Sequence, residues 1–126
     1  MSSPIVESAL NALFARAWDC HRDRAYAPIL ARSLLYVTGS IGDRLVGFAN
    51  VATDGGAHAF LLDPTVDREF QRQGIGTALV QLAAREAKGR GCEWFHVDYE
   101  PHLAPFYTAA GFRPTTAGIM HLDRTV

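Results

Sequence analysis

The chain has 126 residues, of which 48% are hydrophobic and 20% are charged, and its formal net charge is −1. This length predicts one domain over residues 1–126, and the composition is typical of a soluble globular protein with a substantial core. The near-neutral charge gives no reason to expect a nucleic-acid partner.

The sequence also disfavours a membrane protein, a secreted protein and a metal-binding protein. No apolar run reaches the roughly twenty residues that a membrane span needs, and the N-terminus has no signal-peptide pattern. We therefore expect no membrane association and a cytoplasmic location. The two cysteines, Cys20 and Cys92, are far apart and lack the spacing of zinc ligands, so no metal is expected either.

The predicted elements begin with an amphipathic helix. Ser3-Pro4 resembles a helix start, and apolar residues follow at helical spacing as far as Trp18. Three strands joined by tight turns come next, and they predict an antiparallel meander. The elements after the first helix are predicted as a short helix at 25–32, strands at 34–39, 44–53 and 57–63, a helix from 75, a strand at 92–100, a helix at 101–110, and a terminal strand pair at 112 and 117–122.

The most informative segment is 66–77, which joins a buried strand to the helix from 75. Glycines stand at 74 and 76, where that helix begins. A helix N-terminus has unpaired N–H groups and a partial positive charge, and glycine lets the backbone approach a ligand closely. The segment therefore predicts an anion-binding loop. Its sequence does not fit a Walker A loop, because Thr77-Ala78 follows the second glycine, nor a dinucleotide fingerprint, because Leu79 holds the third glycine position.

The pattern Gln71-x-x-Gly74-x-Gly76 resembles the acetyl-CoA pyrophosphate loop of the GNAT superfamily of N-acyltransferases. A second segment, 106–112, has the sequence Phe-Tyr-Thr-Ala-Ala-Gly-Phe and resembles the closing motif of the same family. Two separate motifs in the right order support the resemblance, which covers roughly residues 33–122.

The resemblance implies an α/β (α+β) fold with a mixed, mostly antiparallel sheet flanked by helices. Two parallel strands, 57–66 and 92–100, are expected to splay apart at the cofactor site. The family usually has a strand before the first helix, and here that strand is expected to be missing. Because the sheet edge would then be open, we expect that the protein could form a homodimer.

The resemblance also implies a set of cofactor contacts. The main chain of the strand would meet the pantetheine arm of acetyl-CoA, and main-chain amides of the loop would hold the pyrophosphate. The residues concerned are Val66, Gln71, Arg72, Gln73, Gly74, Gly76 and Thr77.

The resemblance also suggests which residues could transfer protons during the reaction. Tyr107 stands where the family places the tyrosine that protonates the departing thiolate, with packing as the alternative role. The glutamate that many members use as a base is replaced by Phe60. His58 lies on the same face of that strand and is the nearest titratable candidate for the base, although a packed histidine is the more common finding.

Candidate residues for binding the acceptor amine lie at the end of the second predicted splayed strand. His96, Asp98 and Glu100 alternate, so they are expected on one face, where they could attract a cationic amine or line a polar rim. The sequence is thus read as an N-acetyltransferase that transfers the acetyl group of acetyl-CoA directly to the amine of a small molecule or peptide. A CoA-binding module without catalysis and a nucleotide-binding domain remain the alternatives.

Overall fold

A computed structural model describes residues 7–18, 21 and 23–125, with the side chains of 124 and 125 left out. The predicted helix start at Ser3-Pro4 and Cys20 lie outside these residues. The helices are α1 (Glu7–Ala17), α2 (Ala27–Arg32), α3 (Ile75–Gly89), α4 (Ala104–Ala110) and α5 (Leu122–Thr125), the strands are β1 (Leu35–Ile41), β2 (Arg44–Thr53), β3 (His58–Val66) and β4 (Trp94–His96), and single 3-10 turns occur at Arg68–Phe70 and Pro101–Leu103.

The four strands form one sheet in the order β1-β2-β3-β4. The first three strands are antiparallel, as the meander prediction requires, and β4 adds to β3 in parallel. In the described part of the chain, β1 has no neighbour on its outer side. The predicted mixed, mostly antiparallel sheet flanked by helices is therefore confirmed.

The sheet has a helical layer on each face. One face packs against α3 and α4, and the opposite face packs against α1 and the segment before α2. The α3 side buries Leu35, Val37, Ala49, Val51, Ala59 and Leu61 of the sheet with Leu79, Val80, Ala83, Ala87 and Tyr107 of the helices. The α1 side buries Leu10, Leu13, Phe14 and Tyr26 with Leu45 and Phe48.

Glycine lets α3 approach the sheet closely. A Cβ atom built on Gly47 of β2 would lie 2.7 Å from Cδ1 of Leu79, and one on the paired Gly39 of β1 would lie 3.8 Å from Cγ2 of Ile75. The first turn of α3 therefore rests directly on main chain at Gly47, which fixes the position of the helix N-terminus.

Two sequence predictions need correction. The strand predicted at 92–100 has ladder pairs only at Trp94–His96, because the chain diverges from β3 beyond that point. The terminal strand pair at 112 and 117–122 is wrong: residues 112–121 have no regular structure, and α5 begins at Leu122. Pro114 lacks an N–H group and Gly118 favours no strand, so this segment is poorly suited to a ladder. None of the described helices has the length and apolar character needed to cross a bilayer.

Candidate active site

A buried carboxylate fixes the entrance to the glycine loop. Asp67 follows the last residue of β3, is fully buried, and accepts hydrogen bonds from the main-chain N–H of Glu69 (3.0 Å), from Arg16 (2.5 Å) and from Arg44 (2.9 Å). Burial would raise the pKa of Asp67, but the hydrogen bonds from Glu69 and the two arginines outweigh it and lower that pKa. The loop is thus tied to α1 and β2 before it reaches the glycines.

The loop then closes on itself. Nε2 of Gln71 donates to the carbonyl oxygen of Val66 (3.1 Å), so the residue at the Arg/Gln position of the motif bridges the two ends of the segment. Arg72 has φ 64° and Gly74 has φ 83°, which turns the chain sharply before α3. The main chain of Val66 was expected to meet the pantetheine arm, and this contact stays a prediction.

The first turn of α3 presents unpaired N–H groups. The first main-chain bond of this helix runs from Ala78 N–H to Gly74 O (3.0 Å), so the N–H groups of Ile75, Gly76 and Thr77 lie outside the helical ladder. No atom comes within 4 Å of a Cβ built on Gly74, and the space beside it is open. This geometry fits an anion.

Gly76 has a packing role in addition to the close approach of a ligand that the sequence suggested. A Cβ atom at this position would lie 3.3 Å from two ring carbons of Phe106 and 3.5 Å from Cγ2 of Val66. Gly76 therefore permits α4 to pack against the start of α3. The glycine at 76 serves helix packing, whereas the glycine at 74 serves the turn and the open space.

An open gap follows the short β3–β4 ladder. The last parallel pair joins Phe60 to His96, and β3 continues to Val66 without a β4 partner. Within this stretch β3 has one extra residue relative to β2, because the register shifts between the Phe48–Thr65 and Asn50–Leu62 pairs. The predicted splaying of the two parallel strands is confirmed by this divergence.

Tyr107 lies in α4 and contacts the segment that follows β4. Its ring stacks on Tyr99 with centroids 4.7 Å apart, and only 5% of the residue is exposed. Burial, and to a lesser degree the charge of Asp98, raise the pKa of Tyr107 above its usual value of 10.0. The phenol is therefore protonated at neutral pH, and its hydroxyl makes no hydrogen bond to any residue that the structure describes.

His58 and His96 contact each other at the start of the gap. Nδ1 of His58 lies 2.7 Å from Nε2 of His96, and the His96 ring stacks on Phe60 with centroids 4.9 Å apart. In this hydrogen bond one ring nitrogen donates and the other accepts. The sequence placed these residues on different strands without predicting their contact.

The predicted alternation at the end of the second splayed strand is confirmed by burial. His96, Asp98 and Glu100 are exposed, whereas the residues between them are partly buried against the α3 side of the core. Asp98 acts electrostatically on Tyr107. Glu100 precedes the 3-10 turn at Pro101–Leu103 and its carbonyl accepts from the Leu103 N–H.

Side chains of α1 form hydrogen bonds with the main chain of the segment that connects α1 to α2. The sequence analysis did not predict these contacts. Asn11 donates to the carbonyl of Arg24 (2.9 Å) and accepts from its N–H (3.1 Å), and Glu7 accepts from the N–H groups of Tyr26 (2.6 Å) and Ala27 (3.0 Å). Trp18 stacks on Phe14 of the core. Within residues 7–18, 21 and 23–125, no group of three or more metal-ligating side chains occurs.

These features define a class of α/β protein in which a helix start with free N–H groups lies next to a gap between parallel strands. A model of the Acetyltransferase (GNAT) family matches residues 5–112. The chain belongs to the GNAT acetyltransferase family.

Individual proteins agree with this assignment. GCN5-related N-acetyltransferase 1, chloroplastic, of Arabidopsis thaliana is 30% identical over 113 residues, which are 87% of this chain and 57% of the relative. A probable acetyltransferase of unknown function from meticillin-resistant Staphylococcus aureus has a TM-score of 0.77 at 22% identity, covering 96% of this chain and 95% of that one. Aminoglycoside N-acetyltransferase AAC(6')-Iy, in complex with CoA, has a TM-score of 0.74 at 21% identity over 91% and 86% of the two chains. The chain spans about half the length of the curated relatives it matches.

Proposed function

We propose that this protein is an N-acetyltransferase that moves the acetyl group of acetyl-CoA to a primary amine of a small molecule or peptide, directly and within a ternary complex. The observation that carries the proposal is the start of α3, where unpaired N–H groups and open space at Gly74 adjoin the gap between β3 and β4. Family membership supplies the cofactor class.

The residues present fit coenzyme A at this position. The N–H groups of Gly76 and Thr77, with those of Arg72, Gln73 and Gly74 in the turn, would bind the diphosphate at the positive end of α3. Gln71 would keep the loop closed, and the exposed Arg72 would add a charged contact. When bound, acetyl-CoA supplies an activated thioester.

The open stretch of β3 would orient the acyl group. Main-chain amides of β3 between Leu61 and Val66 have no β4 partner and border the gap. Pro64 has no N–H group, so any amide that polarises the acyl carbonyl must come from another residue of this stretch. Much of the rate enhancement would arise from this positioning.

Tyr107 would act as the general acid. Its raised pKa keeps the phenol protonated, and its hydroxyl is free to donate to a departing thiolate. The stacked Tyr99 and the edge-on Phe106 and Phe112 hold the ring in place.

His58 would accept the proton that the amine loses. The contact with His96 supports this role, because it fixes the orientation of the His58 ring at the start of the gap. His96, Asp98 and Glu100 would line the acceptor side. The AAC(6')-Iy neighbour is named for amine-bearing acceptors, which agrees with an amine substrate here.

A second candidate is a CoA-binding module of the same fold that lacks catalysis. Phe60, at the position where many family members have a glutamate, favours it. Intact Tyr107 and the His58–His96 contact favour the enzyme. A homodimer through the open edge of β1, a cytoplasmic location and a single-domain organisation stay predictions.

Thiol release from acetyl-CoA across a panel of polyamines, aminoglycosides, amino acids, arylamines and peptides tests the proposal, beside calorimetric binding of CoA, ATP and NAD. We expect CoA binding and turnover on at least one amine. Binding of CoA without turnover on any amine would support the module instead. Binding of ATP or NAD without CoA would refute both.

A further inference from the structure

The carboxylate of Asp67 divides its two oxygens between the glycine loop (residues 67–77) and the rest of the fold. Oδ1 accepts the main-chain N–H of Glu69 (3.0 Å), at the start of the loop. Oδ2 accepts from Nε of Arg16 in α1 and from the guanidinium of Arg44 in β2 (2.9 Å). Because Asp67 is fully buried, its charge depends on these partners and fixes them in turn.

The two arginines differ in what else they contact. Arg44 also binds the loop directly, through the Glu69 carboxylate (3.2 Å) and the face of the Phe70 ring (5.5 Å from the ring centre). Arg16 uses its other donor on the carbonyl of Leu45 in β2 (2.9 Å). Among the described residues, the hydrogen bonds and ion pairs of Arg16 reach the loop through the Asp67 carboxylate alone.

The last turn of α1 and the start of the loop are joined in both directions. Arg16 donates from the helix to the loop, and Arg68 donates from the loop to the carbonyl of Ala17, the last residue of α1 (3.2 Å). The main-chain N–H of Asp67 also donates to the carbonyl of Val46 in β2 (2.7 Å). The base of the loop is therefore anchored to a helix and a strand that are remote from it in sequence.

The turn at 72–74 has few contacts of its own. Its side chains form no hydrogen bond or ion pair with any residue that the structure describes, and the preceding Gln71 bonds within the same segment, to the carbonyl of Val66. The main-chain N–H groups of this turn are among those proposed to bind the diphosphate. Their placement depends on the anchored base of the loop, because a ligand-binding group is held in position by the residues that support it.

We propose that Arg16 is a positioning residue for the cofactor: through Asp67 it holds the glycine loop against α1, in the place where the loop binds the diphosphate. This inference rests on the proposed acetyltransferase function. Arg16 lies 51 positions before Asp67, outside both motifs of the sequence. A change in α1 should therefore alter the affinity for ligands that carry the diphosphate and leave other parts of the cofactor unaffected.

Arg16→Met is the decisive variant. Arg44 still pairs with Asp67 in this variant, so the buried carboxylate keeps a cationic partner and the fold should persist, which thermal unfolding verifies. Arg32→Met, at the exposed end of α2, is the matched control for loss of one positive charge. Arg16→Lys keeps the charge but replaces the planar fork of donors. Binding of CoA and of pantetheine to the wild type and to each variant is measured by calorimetry.

We expect Arg16→Met to bind CoA about three- to tenfold more weakly than the wild type and to bind pantetheine equally well. Arg16→Lys should lie between the two, and Arg32→Met should match the wild type. In a protein that already carries Asp67→Asn, Arg16→Met should cause no further loss, because Arg16 acts through that carboxylate.

Three results would overturn the proposal: unchanged CoA affinity in Arg16→Met, an equal loss for pantetheine, or the same loss of CoA affinity in the Asp67→Asn background. If Asp67→Asn does not fold, the comparison of CoA with pantetheine still decides. If the wild type does not bind CoA, the proposed function fails, and hydrogen exchange of the main-chain N–H groups at 69–77 tests the positioning by itself. Faster exchange in Arg16→Met than in Arg32→Met would support it, and equal exchange would overturn it.

Discussion

Gly74 offers the most direct test of the cofactor site. With φ 83° and ψ 0°, it lies in the left-handed region, where asparagine and aspartate are the best tolerated of the other residues. A Cβ atom added there meets no protein atom within 4 Å. Gly74→Asn and Gly74→Asp therefore impose nearly the same backbone cost and differ mainly by one negative charge.

The magnitude of that difference follows from the charge of the ligand. At roughly 5 Å, one unit charge repels another by about 1 to 3 kcal/mol for effective dielectric constants between 80 and 20. The diphosphate of CoA has two such charges, so Gly74→Asp should bind CoA at least about fifteenfold more weakly than Gly74→Asn. Because the repulsion acts between solvent-exposed charges, the difference in CoA affinity between the two variants should become smaller at high salt.

Calorimetric titration of both variants with CoA and with pantetheine measures the effect. Pantetheine lacks the diphosphate, so the two variants should bind it equally. Equal CoA affinities for Gly74→Asn and Gly74→Asp would refute a diphosphate at the start of α3. Gly76→Glu is a poorer test, because its side chain would also displace Phe106 and perturb α4.

Three further predictions concern chemistry and stability. Tyr107→Phe should lower turnover by about a hundredfold or more with little change in CoA affinity, measured by thiol release; unchanged turnover would leave Tyr107 a packing residue. Gly47→Ala should lower the free energy of unfolding in urea by about 1 to 3 kcal/mol, because the added methyl group would collide with the Leu79 side chain. Gly39→Ala should have a far smaller effect. Equal losses in the two variants would contradict the close contact at Gly47. At pH 7, Asp67→Asn should lower the free energy of unfolding by about 2 kcal/mol. Because folding lowers the pKa of Asp67, this loss should become smaller as the pH falls below about 4. A loss that does not change with pH would show that the charge of Asp67 is not its cause.

The geometry of the glycine loop before α3 could be predicted from the sequence because it is local. The turn at Gly74 and the free N–H groups of the next helical turn follow from a few consecutive residues. The order β1-β2-β3 followed from the tight turns of the predicted meander, whereas the parallel pairing of β3 with β4 followed from the family resemblance. Glycine identity alone did not reveal function, however, since Gly76 contacts Phe106, which lies thirty positions away in the sequence.

Long-range polar contacts could not be predicted in the same way. Asp67 looks like an ordinary loop residue in the sequence, yet Arg16 and Arg44, from two different elements, converge on it. The strand ladder at 92–100 was overestimated because β-propensity reports how well a residue suits a sheet, and it does not indicate whether a partner strand is present.

The start of α3 and the α1 side of the sheet are built in different ways, and this explains why a cofactor class is easier to predict from the sequence than a substrate. Diphosphate binding uses main-chain N–H groups, which any helix start can supply. On the α1 side, Asn11 binds both main-chain groups of Arg24, and Glu7 accepts hydrogen bonds from the N–H groups of Tyr26 and Ala27. These contacts join residues that are 13 to 20 positions apart, so no short motif reports them. The shape of the α1 side therefore depends on tertiary contacts, whereas the start of α3 depends on a few consecutive residues.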